Sequence, residues 1–310
     1  MAAGRVRSLD QMVELVRSRR TPARVVIAAC AEPNAVLAGL EAFRQGLAEP
    51  VFVGDVQRMT ALPELAGVDF AAFECVHEPD VAAAVTICLD MLEQGRADFL
   101  MKGGVKTDVL LRAVLGRKRG SDGLLSHIGV FPHPREERLV IVTDAGVNIA
   151  PSLTRKIDII NNAVAVAKKL GMQPPTVAVL SATEKVSYND MTSSKDADIL
   201  AKLCRMGLFG DAIVGGPFAL DIAVSLEKAE AKGVIHPAAG RADILCAPNI
   251  VTGNVLYKAV TSLMDLPMAG IVVGAVYPLV VPSRGDSDRS KFYALALAAY
   301  LAAYPDGDRI

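Results

Sequence analysis

The sequence predicts an α/β fold of two domains, and three observations lead to this prediction. Short apolar runs rich in valine and isoleucine recur along the chain and are typical of buried strands. The stretches between them space their apolar residues about 3.6 positions apart, and glycine or proline commonly follows. The chain has 310 residues, 52% of them hydrophobic, which is enough for two domains with a substantial core. This alternation of strands and helices indicates mostly parallel sheets.

The individual elements follow from the same patterns. A first amphipathic helix is predicted after Ser8, because Ser8 and Asp10 precede apolar residues at helical spacing. The last strand is predicted at residues 276–281, and a helix follows from about 286 to 303. The other strands are predicted at residues 24–29, 50–55, 97–103, 139–144, 176–182, 211–216, 242–248 and 270–275. The other helices are predicted near residues 34–48, 78–95, 107–115, 153–170, 195–206, 218–232 and 253–264.

Composition excludes several classes of protein. The net charge is −1, from 33 basic and 34 acidic residues, so nothing in the bulk charge predicts binding to nucleic acid. No uncharged apolar run is long enough to predict a membrane span, and the first 20 residues lack the apolar core of a signal peptide. The five cysteines form no CxxC and the four histidines show no zinc spacing. We expect a cytoplasmic protein with reduced thiols, no metal and no membrane partner.

The predicted strand ends favour an anionic ligand. In α/β folds, ligands bind beyond the carboxyl ends of the strands, where loops meet helix N-termini. The loops there are rich in glycine, serine, threonine, asparagine and lysine, which suits a phosphate and equally suits ordinary helix caps. These loops are residues 102–108, 143–148, 181–190, 215–217, 247–254 and 282–288. The Walker loop, the GxGxxG fingerprint, GxSxG, HExxH and the EF-hand loop are absent from the sequence.

An ordered set of segments resembles the phosphate acetyltransferase and phosphate butyryltransferase family, and the butyryl branch more closely. The resemblance covers nearly the whole chain from about residue 20, and the ordered set is more specific than any one segment. The segments are KGGVKTDVLLRAVL (102–115), LLSHIGVF (124–131), TDAGVNIAP (143–151), AVLSATEKV (178–186), GGPFALDIA (215–223), ADILCAPNIVTGNVLYK (242–258) and PSRGDSDRSKFYALALA (282–298).

The resemblance implies a reaction and an architecture. The reaction is reversible: an acyl-CoA and phosphate give an acyl phosphate and free CoA, with CoA as a substrate and no tightly bound cofactor. The implied fold has two α/β/α domains around an interdomain cleft, like isocitrate and isopropylmalate dehydrogenases. We expect residues 1–142 and 283–310 in the first domain, 143–282 in the second, and a homodimer or higher homo-oligomer.

The catalytic residues are predicted from this resemblance together with the chemistry. The CoA thiol has a pKa near 8.5, so only about 3% of it is thiolate at pH 7. A cation or a modest base therefore suffices to supply the thiolate nucleophile. Ser283 and Arg284 match the family's serine-arginine pair; the resemblance implies that the serine hydrogen-bonds at the reacting group and the arginine stabilises negative charge. Arg112 matches an arginine that binds the substrate in the family. A capping serine beside surface arginines is the alternative interpretation.

One departure from the family concerns the base. The acetyltransferase branch has an aspartate seven positions after the motif serine, where this chain has Ser290. Asp286 is therefore predicted as a catalytic residue, although it and Asp288 could equally be charges at a helix N-terminus. His127 is a further candidate for the base, and a buried or capping histidine is its alternative interpretation.

Further substrate-binding residues are expected in the second domain. Asn254 and Lys258 are one helical turn apart and face the same way, so Lys258 could meet a CoA phosphate. Ser126, His127 and Asn148 belong to other motif segments and complete the predicted set. No cysteine is assigned as nucleophile, so direct attack within a ternary complex is the simpler mechanism.

Two other functions stay open at this point. A metal- and NAD-dependent decarboxylating dehydrogenase of the same fold would need a carboxylate cluster, for which Asp286 and Asp288 are the suggestive pair. A non-catalytic paralogue that binds CoA or acyl phosphate would explain the missing aspartate. Phosphate-dependent release of CoA thiol separates the enzyme from both.

Overall fold

The chain divides into two compact units. A computed structural model describes residues 4–117, 123–283 and 285–303. Arg284, which is predicted to be catalytic, lies outside these residues. One unit, here called the terminal unit, comprises Leu9–Gly123 and Ala269–Ile310. The other, the central unit, comprises Met1–Ser8 and Leu124–Met268.

The units divide the chain at different positions from the predicted domains. An antiparallel pairing joins Ile128 to Thr143 and Pro132 to Leu139, so residues 126–143 form one hairpin. The predicted boundary at residues 142 and 143 falls in the second strand of this hairpin. The predicted domain bounds stay a prediction.

The terminal unit contains a six-stranded sheet with helices. The strand order is β3-β2-β1-β4-β11-β10, in which β10 pairs antiparallel with β11 and the other pairs are parallel. Short 3₁₀ turns lie at Pro63–Leu65 and Phe70–Ala72. The elements, numbered along the whole chain, are α1 (Leu9–Arg17), β1 (Ala23–Ala28), α2 (Pro33–Arg44), β2 (Ala48–Gly54), α3 (Val56–Thr60), β3 (Glu74–His77), α4 (Val81–Glu93), β4 (Phe99–Lys102), α5 (Thr107–Gly116), β10 (Ala269–Val273), β11 (Leu279–Val280) and α11 (Asp288–Ala302).

Helix α11 lies in the core of the terminal unit. From Tyr293 to Leu301 each side chain is at most 5% exposed, as expected for a helix that is apolar on all faces. The guanidinium of Arg19 donates hydrogen bonds to the carbonyl oxygens of Ala299 (2.6 Å) and Tyr300 (2.9 Å). These bonds satisfy carbonyls that have no partner within the last turn of a helix. The terminal unit thus needs the last described segment of the chain to complete its core.

The central unit contains a five-stranded sheet with the order β5-β6-β9-β7-β8. Strands β5 and β6 pair antiparallel, and the remaining pairs are parallel. Val140, Leu180, Phe218 and Leu245 contribute to its buried core. The elements are β5 (Ser126–Pro132), β6 (Leu139–Thr143), α6 (Leu153–Lys169), β7 (Thr176–Leu180), α7 (Thr192–Arg205), β8 (Ile213–Phe218), α8 (Leu220–Val224), α9 (Leu226–Ala231), β9 (Ile244–Cys246), α10 (Ile250–Lys258) and a π-helix at Ala259–Leu263.

Most predicted elements are present, but the strand predicted at residues 276–281 is shorter. It comprises Leu279 and Val280 alone, and Val276 is 69% exposed. The antiparallel pairing of Val272 with Leu279 requires the chain to reverse between β10 and β11. The first apolar residues of the predicted strand are used in this reversal.

Candidate active site

A cavity of about 400 Å³ lies at the carboxyl ends of β4 and β11 in the terminal unit. The loop between β4 and α5, the start of α2, Ser283 and Lys291 line this cavity. Two of the loops that the sequence predicts for an anionic ligand, residues 102–108 and 282–288, therefore meet in one place. Its lining residues are Glu32, Asn34, Ala35, Met101, Lys102, Gly103, Gly104, Val105, Lys106, Thr107, Asp108, Pro282, Ser283 and Lys291.

The loop before α5 is held close to strand β1. The backbone N–H of Gly103 donates to the carbonyl oxygen of Ala28 (2.9 Å), and that of Gly104 donates to Ala29 (2.8 Å). A Cβ atom on Gly103 would come within 2.6 Å of both carbonyl oxygens, so the approach requires glycine. The Lys102 ammonium donates to the carbonyl oxygens of Gly103 and Val105, each at 3.2 Å. These contacts place the N-terminus of α5 at the cavity wall.

Ser283 and Asp286 form a turn that precedes α11. The backbone N–H of Ser283 donates to the Asp286 carboxylate (2.8 Å), and the N–H of Asp286 donates to the carbonyl oxygen of Ser283 (3.1 Å). The hydroxyl of Ser283, an exposed residue, accepts from the N–H of Gly285 at 3.4 Å. Ser287 then caps the helix by accepting from the N–H of Ser290 (3.1 Å). If Asp286 acts as the base, its carboxylate must also keep accepting the Ser283 N–H that holds this turn.

Arg112 lies on α5 and is 74% exposed in its side chain. Its guanidinium contacts the Asp108 carboxylate one helical turn earlier, and its Nε donates to the Asp108 carbonyl oxygen (3.2 Å). The hydrogen bond from Arg112 lowers the pKa of Asp108. Asp108 lines the same cavity as Ser283, so an anion that recruits Arg112 competes with this carboxylate.

In the central unit, a buried aspartate organises the loop after β6. Asp144 is 2% exposed and accepts from the backbone N–H groups of Gly146 (2.8 Å), Val147 (2.9 Å) and Asn148 (3.2 Å). The side-chain amide of Asn148 donates to Asp144 (2.7 Å) and to the carbonyl oxygen of Leu125 (2.8 Å). Both amide hydrogens of Asn148 are thus donated within the protein, and a substrate contact would use its carbonyl oxygen.

The other predicted residues of the central unit lie around this loop. Ser126 is fully buried and accepts from the Asn162 amide at 2.9 Å, so its hydroxyl supports the loop. The half-buried His127 ring packs edge-on against Tyr257, with centroids 5.5 Å apart. On α10, the Asn254 amide donates to the carbonyl oxygen of Ala145 (3.3 Å), and the Lys258 ammonium lies 4.9 Å from the Tyr257 ring centre. These contacts bring Ser126, His127, Asn148, Asn254 and Lys258 into one cluster.

Three buried cysteines are poor candidates for a nucleophile. Burial raises the pKa of Cys30, Cys88 and Cys246 to about 12, so these thiols are protonated at neutral pH. Within residues 4–117, 123–283 and 285–303, no group of three histidine, cysteine, aspartate or glutamate side chains could hold a metal ion. The helices in the described part of the chain are too short or too polar to cross a membrane.

Sequence reasoning missed Lys291, which lines the cavity with Ser283. Lys291 is 9% exposed and lies in the first turn of α11. It is the last charged residue before an apolar run that continues to residue 304. A lysine directly before a long apolar run is the signal that could have identified it.

The fold defines a class of α/β proteins that includes dehydrogenases. A solved 4-hydroxythreonine-4-phosphate dehydrogenase from Klebsiella pneumoniae superposes with a TM-score of 0.57 at 12% identity, over 90% of this chain and 99% of that one. A branched-chain phosphotransacylase from Enterococcus faecalis V583 superposes with a TM-score of 0.78 at 31% identity, over 90% and 99%. The predicted dehydrogenase-like α/β class is confirmed.

The sequence comparisons are more specific. The family described as phosphate acetyl/butaryl transferase matches residues 75–299. The chain is 38% identical to the phosphate butyryltransferase of Clostridium acetobutylicum, over 96% of this chain and 99% of that protein. It is 34% identical to the phosphate acetyltransferase of Thermotoga maritima, over 95% and 99%. The chain therefore belongs to the phosphate acetyl/butyryltransferase family, which confirms the resemblance predicted from the motifs.

Proposed function

We propose that the chain is an acyltransferase that moves a short acyl group reversibly between CoA and inorganic phosphate. The observation that carries this proposal is the family match over residues 75–299, supported by relatives aligned over nearly their full length. The substrates are CoA, an acyl-CoA, phosphate and an acyl phosphate. We also propose that the protein is cytoplasmic, forms a homodimer or higher homo-oligomer, and has no tightly bound cofactor.

The reaction proceeds by direct attack in a ternary complex. A phosphate oxygen attacks the thioester carbonyl, the new C–O bond forms, the C–S bond breaks, and the CoA sulfur leaves as a thiolate that takes up a proton. In reverse, the CoA thiolate attacks the acyl phosphate carbonyl and phosphate leaves. The three thiols whose burial raises the pKa to about 12 support this path over a covalent acyl-cysteine.

The residue roles in this proposal combine residues that match the family motif with candidates chosen for their chemistry. Ser283 hydrogen-bonds at the reacting group, Arg284 stabilises the developing negative charge, and Asp286 is the candidate base. Arg112 exchanges its Asp108 partner for the substrate. His127, Asn254 and Lys258 contact CoA or the acyl group, while Ser126 and Asn148 hold the loop that presents them.

A turnover assay tests the function. The purified protein with butyryl-CoA should release free thiol, detected with a chromogenic disulfide, only when phosphate is present, and hydroxylamine should trap the acyl phosphate. A series of C2 to C8 acyl-CoA substrates then defines the acyl chain length. Thiol release that is absent, or that proceeds equally well without phosphate, would contradict the proposal.

A further inference from the structure

Lys291 lies in the wall between two cavities of the terminal unit. One is the cavity of about 400 Å³ that Ser283 also lines. The other is a groove of about 740 Å³ between α1, α2 and α11, lined by Asp288 and Arg289 among others. The Lys291 ammonium donates to the Asp288 carboxylate (3.0 Å). Lys291 therefore stands between an exposed acidic residue and the candidate active site.

The pair with Asp288 does not account for the burial of Lys291. The Lys291 side chain is 10% exposed, whereas the Asp288 side chain is fully exposed. Removing an ammonium from water is costly unless a well-placed counter-charge offsets it, and a pair with a solvated carboxylate contributes little. The position of Lys291 thus has an energetic cost that a bound anion would offset.

The cavity beside Ser283 has the chemistry to supply that anion. Lys106 and the N-terminal residues of α5 line it, and no side chain caps α5 within the described part of the chain. Two carboxylates also line it, but both are engaged. Glu32 accepts from the N–H groups of Asn34 (3.3 Å) and Ala35 (2.7 Å). Asp108 pairs with Arg112.

We propose that Lys291 is a phosphate-binding residue of the active site. Its ammonium leaves Asp288 and donates to the phosphoryl oxygens of inorganic phosphate or of the acyl phosphate. A lysine suits this exchange because a compact charge on a flexible stem can reach either partner. The assignment of this anion as the reacting phosphate rests on the proposed function.

Steady-state kinetics separate the substrates. Lys291→Met keeps the buried stem and removes the charge, so the KM for phosphate should rise about 10- to 100-fold, as expected for the loss of a hydrogen bond from a charged donor. The KM for butyryl-CoA should change less than about twofold, and Lys291→Arg should recover part of the loss. An unchanged phosphate KM in a folded Lys291→Met protein would overturn the proposal.

Arg289→Met is the matched control. It removes the same charge from the same helix. Arg289 lines the groove as Lys291 does, but it is absent from the described residues that line the cavity beside Ser283. Its effect on the phosphate KM should stay below about twofold, because a solvated charge at a distance is screened. Equal effects of Arg289→Met and Lys291→Met would show a general electrostatic effect and overturn the assignment.

Asp288→Asn provides a test that does not depend on a buried substitution. Since its exposed carboxylate competes for Lys291, its neutralisation should lower the phosphate KM by about two- to fivefold, the range for an exposed ion pair. A phosphate KM that is unchanged or higher would contradict the exchange.

Ligand-induced stabilisation tests phosphate binding apart from turnover. Inorganic phosphate should raise the Tm of the wild-type protein relative to chloride at equal ionic strength, and should do so less in Lys291→Met. If the wild type shows this rise without turnover, the proposed function fails and the phosphate site stands. If the wild type turns over and both proteins gain equally from phosphate, the Lys291 assignment fails alone.

Discussion

Asp286 accepts the backbone N–H of Ser283, and this hydrogen bond limits what its carboxylate can do in catalysis. Proton transfer to Asp286 would weaken the bond that holds the turn. The cost of forming a thiolate near neutral pH is only about 2 kcal/mol, from about 1.5 pKa units. A nearby cation can therefore supply most of the stabilisation that a dedicated base would, so a serine at position 290 is compatible with the proposed reaction.

Arg284 is the cation that we expect to stabilise this negative charge. If Arg284 stabilises charge in the transition state, Arg284→Ala should lower kcat about 10²- to 10³-fold and change KM less. Arg284→Lys should recover only part of the rate, because an ammonium lacks the planar fork of the guanidinium. Initial rates with varied butyryl-CoA and phosphate measure both constants.

The pH dependence of the same variant adds a control. In the direction of CoA attack, alkaline pH should partly restore Arg284→Ala, because the thiolate then forms without help. A near-normal kcat for Arg284→Ala at neutral pH would show that this residue is only a charge beside a helix cap.

At the scale of elements, the loop before α5 depends on its contact with β1. The N–H of Gly103 donates to Ala28, the last residue of β1, and that of Gly104 donates to the next residue, Ala29. A Cβ atom on Gly103 would lie only 2.6 Å from both carbonyl oxygens. This packing places the N-terminus of α5 at the cavity that Ser283 lines. Backbone contact therefore positions the candidate phosphate site.

A pair of glycine substitutions measures this contact. Gly103→Ala should lower the free energy of unfolding by about 1–3 kcal/mol, because the added Cβ meets two carbonyl oxygens at 2.6 Å. Gly116→Ala, at the other end of α5, has open space and should be neutral or stabilising by up to about 1 kcal/mol. Urea denaturation measures both; equal effects would contradict the role of close packing at Gly103.

The same scale shows what the sequence could predict. Helices predicted at residues 107–115 and 153–170 agree with α5 and α6 to within about one residue, because their apolar spacing is regular. Strands β3 and β5 are not predicted from the sequence. Strand β3 (ECVH) is short and half polar, and β5 (SHIGVFP) contains histidine, glycine and proline, which are less typical of strands. Ser283 is predicted from a motif, and Asp286 as a substitute for the aspartate that is absent at position 290. The burial of Lys291 is not predicted, since it depends on packing between segments far apart in sequence.

At the scale of the whole molecule, both units bury cysteine thiols. Cys30 and Cys88 in the terminal unit and Cys246 in the central unit have a pKa raised to about 12 by burial. An unfolded chain ionises its thiols near pH 8.5–9. Above this pH, these three thiols therefore hold more protons in the folded protein than in the unfolded chain. The contribution of the neutral thiols to the free energy of unfolding is fully present below pH 8.5 and is lost as the pH rises toward 12.

Cys246→Ala should make this loss less steep. Between about pH 9 and 11, each buried thiol lowers the free energy of unfolding by about 1.4 kcal/mol per pH unit, and the variant lacks one such contribution. Urea denaturation at several pH values gives the two slopes. Parallel slopes for the wild type and the variant would show that Cys246 ionises as readily when folded as when unfolded.

The terminal unit is assembled from two segments that 145 residues of the central unit separate. During translation, all residues of the central unit are added before those of α11. Strands β1 to β4 must wait, because their core is completed by α11, which is buried on nearly every face. The growing chain thus carries an unfinished apolar surface until α11 is added, and the candidate phosphate site can form only afterwards, because Lys291 belongs to that helix.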